Sequence, residues 1–160
     1  MLSIKLICVG KLRERFYVDA FEEYKKRLGA YCRFDCVEIA EQRLPDDPTP
    51  GQIAAALEKE GAEIAKAIPS DAWVAALCIE GRQRSSEEFS SLFLDRANSG
   101  KPKLCFLIGG SCGLSEAVKA RADLKLSMSK MTFPHHLARV MLAEQIYRAF
   151  KIVEGSRYHK

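Results

Sequence analysis

Five short apolar runs alternate with segments of helical periodicity along this 160-residue chain, and this alternation restricts the possible fold more than any other feature. The apolar runs predict strands at Leu2–Val9, Arg33–Ile39, Ala72–Ile79, Lys103–Ile108 and Asp123–Met128. Strands separated by helices are joined by crossovers, which produce a mostly parallel sheet flanked by helices. The sequence therefore predicts an α/β fold, and its length predicts a single domain over residues 1–160.

Helical segments fill the intervals between these runs. Their apolar residues recur at spacings of three and four, and Ser85-Ser-Glu-Glu88 has the spacing of a capping box. The predicted helices cover Arg13–Leu28, Gln52–Ala67, Ser85–Ala97, a short stretch from Ser115 and a long C-terminal stretch from Pro134. In the last of these, we expect Leu137, Val140, Met141 and Ile146 to face the core.

The composition is typical of a globular protein, with 48% hydrophobic and 29% charged residues. No apolar run approaches the roughly 20 residues that span a bilayer. The six cysteines form no Cys-x-x-Cys pair and have no metal-ligand spacing with the histidines, so we expect no metal site. Buried free thiols in the reducing cytoplasm are the favoured interpretation, with a disulfide set as the alternative.

Basic residues are concentrated at the C-terminal end. From Lys119 to Lys160 there are nine Lys or Arg and three acidic residues, whereas the preceding residues hold sixteen basic and eighteen acidic ones. Such a distribution is typical of a surface that attracts a polyanion. On charge alone, a merely solvated basic surface is an equally good interpretation.

Three predicted strands end in segments suited to ligand binding: Leu77–Gly81, Ile108–Gly113 and Leu126–Met131. Ligands of open α/β sheets bind beyond the carboxyl ends of the strands, and Gly109 and Gly110 allow close approach of the backbone. The chain lacks both the Gly-x-Gly-x-x-Gly and the Gly-Lys-Ser/Thr patterns, which argues against a nicotinamide dehydrogenase and an NTPase. Glycines that only form a turn remain an alternative.

Several motifs in order resemble one family. They are Leu-Ile-Gly-Gly-x-x-Gly-Leu-Ser from Leu107, Phe-Pro-His from Phe133, Arg-Val-x-x-x-Glu-Gln-x-Tyr-Arg-Ala from Arg139, and the terminal Tyr-His-Lys. The chain closely resembles the RlmH family over essentially its whole length. This resemblance implies an S-adenosylmethionine-dependent SPOUT-class methyltransferase acting on N3 of the pseudouridine at position 1915, in helix 69 of 23S ribosomal RNA. A non-catalytic ribosome-associated RNA-binding module is the alternative, which calorimetry with S-adenosylmethionine distinguishes.

The same resemblance implies a C-terminal trefoil knot and a homodimer whose interface completes each cofactor site. Periodicity cannot predict a knot, because true knots are almost absent from proteins. The implied cofactor-binding residues are Leu77, Gly109, Leu126, Ser127, Met128, Ser129, Lys130 and Met131. Lys130 is charged where the family has mostly small or apolar residues, so we expect its side chain to point to solvent or RNA.

Methylation of N3 requires alignment of donor and acceptor and removal of a proton. The predicted catalytic residues are His159, Tyr158 and His135, with a helix cap as the alternative for His135 and a frayed end as the alternative for the tail. His136 and Glu144 are predicted to be structural. The predicted RNA-binding residues are Arg139, Arg148, Arg157 and Lys160, the first two with dimer contacts as an alternative.

Overall fold

The computed structural model describes residues Met1–Lys160. Its strands are β1 (Ser3–Val9), β2 (Arg33–Ile39), β3 (Trp73–Gln83), β4 (Lys103–Ile108) and β5 (Leu124–Ser127). They form one sheet in the order β2-β1-β4-β3-β5, and all four neighbouring pairs are parallel. The predicted α/β fold with a mostly parallel sheet is therefore confirmed.

The helices are α1 (Arg15–Leu28), α2 (Pro50–Ala67), α3 (Ser86–Asn98), α4 (Glu116–Arg121) and α5 (His135–Val153). The predicted capping box is confirmed, because the Glu88 amide donates to Ser85 Oγ at 3.1 Å and the Ser85 amide donates to Glu88 Oε2 at 2.9 Å. A second capping box at Thr49 starts α2 two residues earlier than expected. No helix combines the length and apolar character needed to cross a membrane.

The core lies on both faces of the sheet. Leu6 of β1 and Phe106 of β4 point to the face covered by α1, α3 and α5, whereas Ile7 and Leu107 point to the face covered by α2 and α4. Neighbouring residues thus alternate between two apolar layers. This explains why the central strands are continuous apolar runs instead of alternating ones.

The cysteines follow the same layers. All six are unpaired thiols, of which Cys8, Cys32 and Cys105 are buried and only Cys112 is exposed. Burial raises the pKa of the Cys32 and Cys105 thiols to about 12. Because the thiolate is the reactive form, these two side chains act as small apolar residues in the core.

Helix α5 packs between α1 and α3 on one face of the sheet. Its buried residues are Arg139, Leu142, Ala143, Ile146 and Ala149. The expectation that Val140 and Ile146 face the core is confirmed, since Ile146 is buried and the half-buried Val140 packs against the core. The expectation for Leu137 and Met141 was wrong, because both are only half-buried and lie outside the core clusters. The helix is apolar around much of its circumference, so periodicity alone did not select the buried stripe.

Strand β3 is longer than predicted and contains an irregularity. Leu77 and Arg82 both pair with Leu126 of β5, so the four intervening residues leave the ladder. A Cβ at Gly81 would lie 2.7 Å from the carbonyl carbon of Leu126, which leaves no space for a side chain. The backbone of this segment therefore packs directly against the backbone of β5 at Gly81. The trefoil knot itself stays a prediction.

Candidate functional site

A cavity of about 750 Å³ opens beyond the carboxyl ends of β3, β4 and β5. Its walls come from the three strand ends singled out in the sequence, together with Lys119 and the start of α5. Cavities of roughly 300–1,000 Å³ are typical of small-molecule sites. The sheet therefore brings together, at the carboxyl ends of its strands, three segments that are separate in the sequence.

The glycine-rich loop after β4 forms one wall of this cavity. The Gly113 amide donates to the Gly110 carbonyl at 3.0 Å, and Gly113 has a φ of +78°, which favours glycine. A Cβ at Gly109 would lie 2.3 Å from the Gly113 carbonyl oxygen. Only glycine fits at position 109, which lines the cavity. Substitution there would distort the loop itself as well as the cavity.

Glu41, which follows β2, binds this loop through its side chain. Its Oε1 accepts hydrogen bonds from the amide and the hydroxyl of Ser111, each at 3.1 Å. A Cβ at Gly110 would lie 2.7 Å from the same oxygen. Sequence reasoning missed Glu41, because only the sheet order brings the end of β2 near the end of β4. The one available signal was its position directly after a predicted strand.

His135 lines the cavity at the first residue of α5. Its Nε2 is buried and has no hydrogen-bond partner in the chain. Burial, and next the neighbouring His136, lower the pKa of His135 below its ordinary value of 6.5. The lowered pKa favours the neutral imidazole at pH 7. A neutral imidazole with a free nitrogen can exchange a proton or a hydrogen bond with a ligand.

The segment after β5 supplies most of the predicted cofactor-binding residues. The cavity is lined by Leu77, Gly109, Leu126, Ser127, Met128, Ser129 and Met131, but not by Lys130. Ser127 Oγ donates to the Ser129 carbonyl at 2.9 Å, and Ser129 Oγ accepts from the Met131 amide at 3.0 Å. These bonds fold the segment into a compact loop. Lys130 is exposed on this loop and does not line the cavity, so its place among the cofactor-binding residues stays a prediction.

The C-terminal tail packs against α3 and α5 of its own chain and does not line the cavity. Tyr158 donates its hydroxyl proton to Glu144 at 3.1 Å, and the Arg148 guanidinium lies 4.9 Å from the Tyr158 ring. Burial, and next the charge of Glu144, raise the pKa of Tyr158 to about 12. The tail therefore packs against the rest of its own chain. It is more ordered than a frayed end.

Both ring nitrogens of His159 are engaged. Arg148 approaches Nδ1 at 3.1 Å, and Nε2 lies 2.6 Å from the Glu87 carboxylate. Arginine has only donors, so Nδ1 accepts and the proton on Nε2 is donated to Glu87. In this arrangement His159 has no free lone pair for a substrate proton. Of the two histidines predicted to be catalytic, only His135 lines the cavity, and its unpaired Nε2 is buried in this arrangement.

The four predicted RNA-binding residues differ in their surroundings. Arg157 and Lys160 are exposed, and Arg148 is paired with Glu144. The side chain of Arg139 is only 2% exposed, and its guanidinium donates to Glu38 Oε2 at 2.7 Å and to the Gly10 carbonyl at 2.8 Å. The expected RNA contact of Arg139 is thus corrected to an internal one. A buried charge needs partners, and the ends of β1 and β2 supply them.

Comparison with known proteins agrees with this geometry. Residues 2–159 match a family model described as "Predicted SPOUT methyltransferase". Proteins named ribosomal RNA large subunit methyltransferase H from Clostridium beijerinckii and Bacillus pumilus are 46% and 47% identical, over 99% of this chain and 100% of theirs.

Two solved structures have the same fold. A probable methyltransferase from Bordetella pertussis gives a TM-score of 0.56 at 16% identity, covering 92% of this chain and 96% of that one. A probable methylase family protein from Haemophilus influenzae gives 0.55 at 13% identity, covering 100% of this chain and 72% of the other. The family model matches almost the whole length of the chain. The chain therefore belongs to the SPOUT methyltransferase family.

Proposed function

We propose that this protein is an S-adenosylmethionine-dependent methyltransferase of 23S ribosomal RNA, acting on N3 of the pseudouridine in helix 69. The observation that carries the proposal is full-length similarity, at 46–47% identity, to proteins named ribosomal RNA large subunit methyltransferase H. The cavity at the sheet edge and the concentration of basic residues near the C-terminus agree with a small cofactor and a polyanionic substrate.

The residues around the cavity fit such a cofactor. Its volume suits a nucleoside-sized molecule, and Gly109 and Gly110 line it without side chains. We propose that Leu77, Gly109 and the loop Leu126–Met131 hold the cofactor, largely through backbone groups, with Lys130 turned away. When bound, S-adenosylmethionine supplies a methyl group activated by its sulfonium.

The chain's own tasks are to orient the acceptor base and to take up its N3 proton. His135 lines the cavity, and its buried Nε2 has no hydrogen-bond partner in the chain. We propose that this nitrogen turns toward the bound acceptor base and accepts that proton. His159 can accept a proton only after its Nδ1 is released from the hydrogen bond with Arg148. We therefore propose His135 as the base available within one chain, and Tyr158 and His159 as residues of the tail that contact the target nucleoside.

A homodimer is part of this proposal. The half-buried Leu137 and Met141 lie on α5 outside both core clusters, and we propose that a second copy covers this apolar strip. In the proposed dimer, the tail of one protomer contacts the cavity of the other. We further propose that Arg148, Arg157 and Lys160 contact RNA, whereas Arg139 positions α5 against β1 and β2.

Mass spectrometry of helix 69 from cells with and without the protein tests the function. We expect N3-methylation to disappear without the protein and to return with the parental gene. In vitro, His135→Gln should slow methylation of ribosomes by about 10²-fold or more, within the range of general base catalysis. His136→Gln is the matched control, with cofactor affinity measured for both by calorimetry. The assignment would be refuted if the purified protein bound the cofactor but did not methylate unmethylated ribosomes.

A further inference from the structure

The connection between β1 and α1 and the first turn of α1 together present an unusual surface. Its sequence, Lys11-Leu-Arg-Glu-Arg-Phe-Tyr17, combines three cations with two adjacent aromatic residues and one acidic residue. Phe16 is 65% exposed, and its ring centroid lies 4.4 Å from that of Tyr17, tilted by 56°. A large aromatic ring gains from burial, so the part of the Phe16 ring that Tyr17 leaves exposed suggests a partner outside the chain.

The cations of this segment are available to an external anion. Lys11 and Arg13 are exposed and take part in none of the chain's ion pairs. Arg15 lies 3.4 Å from Asp19, but both side chains are largely exposed, and such surface pairs hold weakly. The first two-thirds of the chain are slightly acidic overall, so a count of charges along the sequence conceals this local basic group.

The segment is continuous with the cavity. The Tyr17 ring lies 6.3 Å from that of His136, and the His136 ring lies 4.2 Å from that of His135, which lines the cavity. Glu14, within the segment, is 3.5 Å from His136 Nδ1. A row of rings therefore leads from the cavity, across the start of α5, to the exposed face of Phe16.

We infer that Lys11–Tyr17 is a second RNA-contact surface, on which an unpaired base stacks against Phe16 while Lys11 and Arg13 bind the adjoining phosphates. The inference rests on the proposed function, because it assumes that the substrate of the cavity is RNA. Exposed aromatic rings beside cations are the combination that binds single-stranded nucleic acid, with stacking for bases and charge for phosphates. An acidic protein surface would use the cations but would not require an exposed ring beside the cavity.

Binding measurements on the full-length protein test the inference. Phe16→Ala and the double variant Lys11→Ala/Arg13→Ala are compared with Leu94→Ala and Lys59→Ala, which change an exposed apolar and an exposed basic residue on other helices. The probe is unmethylated large ribosomal subunits, with affinity measured at several salt concentrations. Cofactor affinity is measured in parallel by calorimetry.

Phe16→Ala should weaken binding by about 10-fold, as expected for the loss of one stacked base. The double variant should reduce the slope of log K against log[salt] by about 1.4–1.8, since two phosphate contacts are lost. Both controls and all cofactor affinities should stay at the parental values. Parental RNA affinity and salt slope in both variants would overturn the inference, as would a parallel loss of cofactor binding. Failure of the parental protein itself to bind or methylate subunits would instead overturn the proposed function.

Discussion

The ion pair between the buried Arg139 and the partly exposed Glu38 allows a quantitative test of what fixes α5 on the sheet. The Arg139 guanidinium donates to Glu38 Oε2 at 2.7 Å and to the Gly10 carbonyl at 2.8 Å, and Glu38 also accepts from the Leu12 amide at 3.0 Å. These bonds join α5 to the ends of β2 and β1. Glu38→Gln keeps the shape of the side chain and removes its charge, which leaves Arg139 buried without a counter-ion.

Removal of one partner of a buried pair costs about 3–5 kcal/mol. The Glu38 side chain is 38% exposed, so water can partly replace it, and we expect a loss of about 2–3 kcal/mol. Arg139→Met should cost less, about 1 kcal/mol, because the remaining carboxylate can be hydrated and the methionine fills apolar space. The double variant should be about as stable as Arg139→Met alone, since no unpaired buried charge remains.

Urea unfolding at one fixed protein concentration gives the three free energies. In thermal scans, the Glu38→Gln loss should lower Tm by roughly 4–12 °C, at about 2–4 °C per kcal/mol for a domain of this size. Two additive single effects, or a Glu38→Gln variant within 0.5 kcal/mol of the parent, would refute the reasoning.

The same pair predicts a pH dependence. Burial raises the pKa of Glu38, but the hydrogen bonds from Arg139 and from the Leu12 amide outweigh it, and the net pKa is below the ordinary value of 4.5. A carboxyl with a lowered pKa contributes stability above its unfolded-state pKa and loses it as pH falls through the folded-state value. The difference in free energy of unfolding between parent and Glu38→Gln should therefore be constant near neutral pH and shrink below about pH 4.5. A constant difference down to pH 3 would contradict this.

Three further predictions concern the cavity, the tail and the apolar strip of α5. Glu41→Gln should loosen the loop held through Ser111 and weaken S-adenosylmethionine binding about 10-fold in calorimetry, roughly the value of one hydrogen bond to a charged group. Unchanged affinity would show that the loop keeps its conformation without Glu41. Deletion of Tyr158–Lys160 should leave cofactor affinity nearly intact but lower methyl transfer to ribosomes by orders of magnitude, and a parental rate would reduce the tail to a packed end. Met141→Asp should shift sedimentation at micromolar concentration from dimer toward monomer, because it places a charge in the apolar strip; an unchanged dimer would place the interface elsewhere.

Local signals in the sequence predicted all five strands and all five helices, although not the full length of β3. The apolar runs predicted β2 and β4 with their observed bounds, and the capping box identified Ser85, the N-cap of α3. Ser115 likewise caps α4, by accepting from the Val118 amide at 3.2 Å. Such signals act between residues three or four positions apart, or between alternate residues of one strand, so a single segment contains all the information they need.

The assembly of the site depended on the tertiary structure. The bond between Glu41 and Ser111 spans 70 residues and that between Glu38 and Arg139 spans 101, and both exist only because the sheet order brings the ends of β1, β2 and β4 together. Charge and motif position suggested an RNA contact for Arg139, whereas packing of α5 between α1 and α3 buried it. The sequence by itself determined the elements and the residue types available at the strand ends. Which side chains meet there was decided by strand order and helix packing, because contacts between distant segments depend on the geometry of the whole fold.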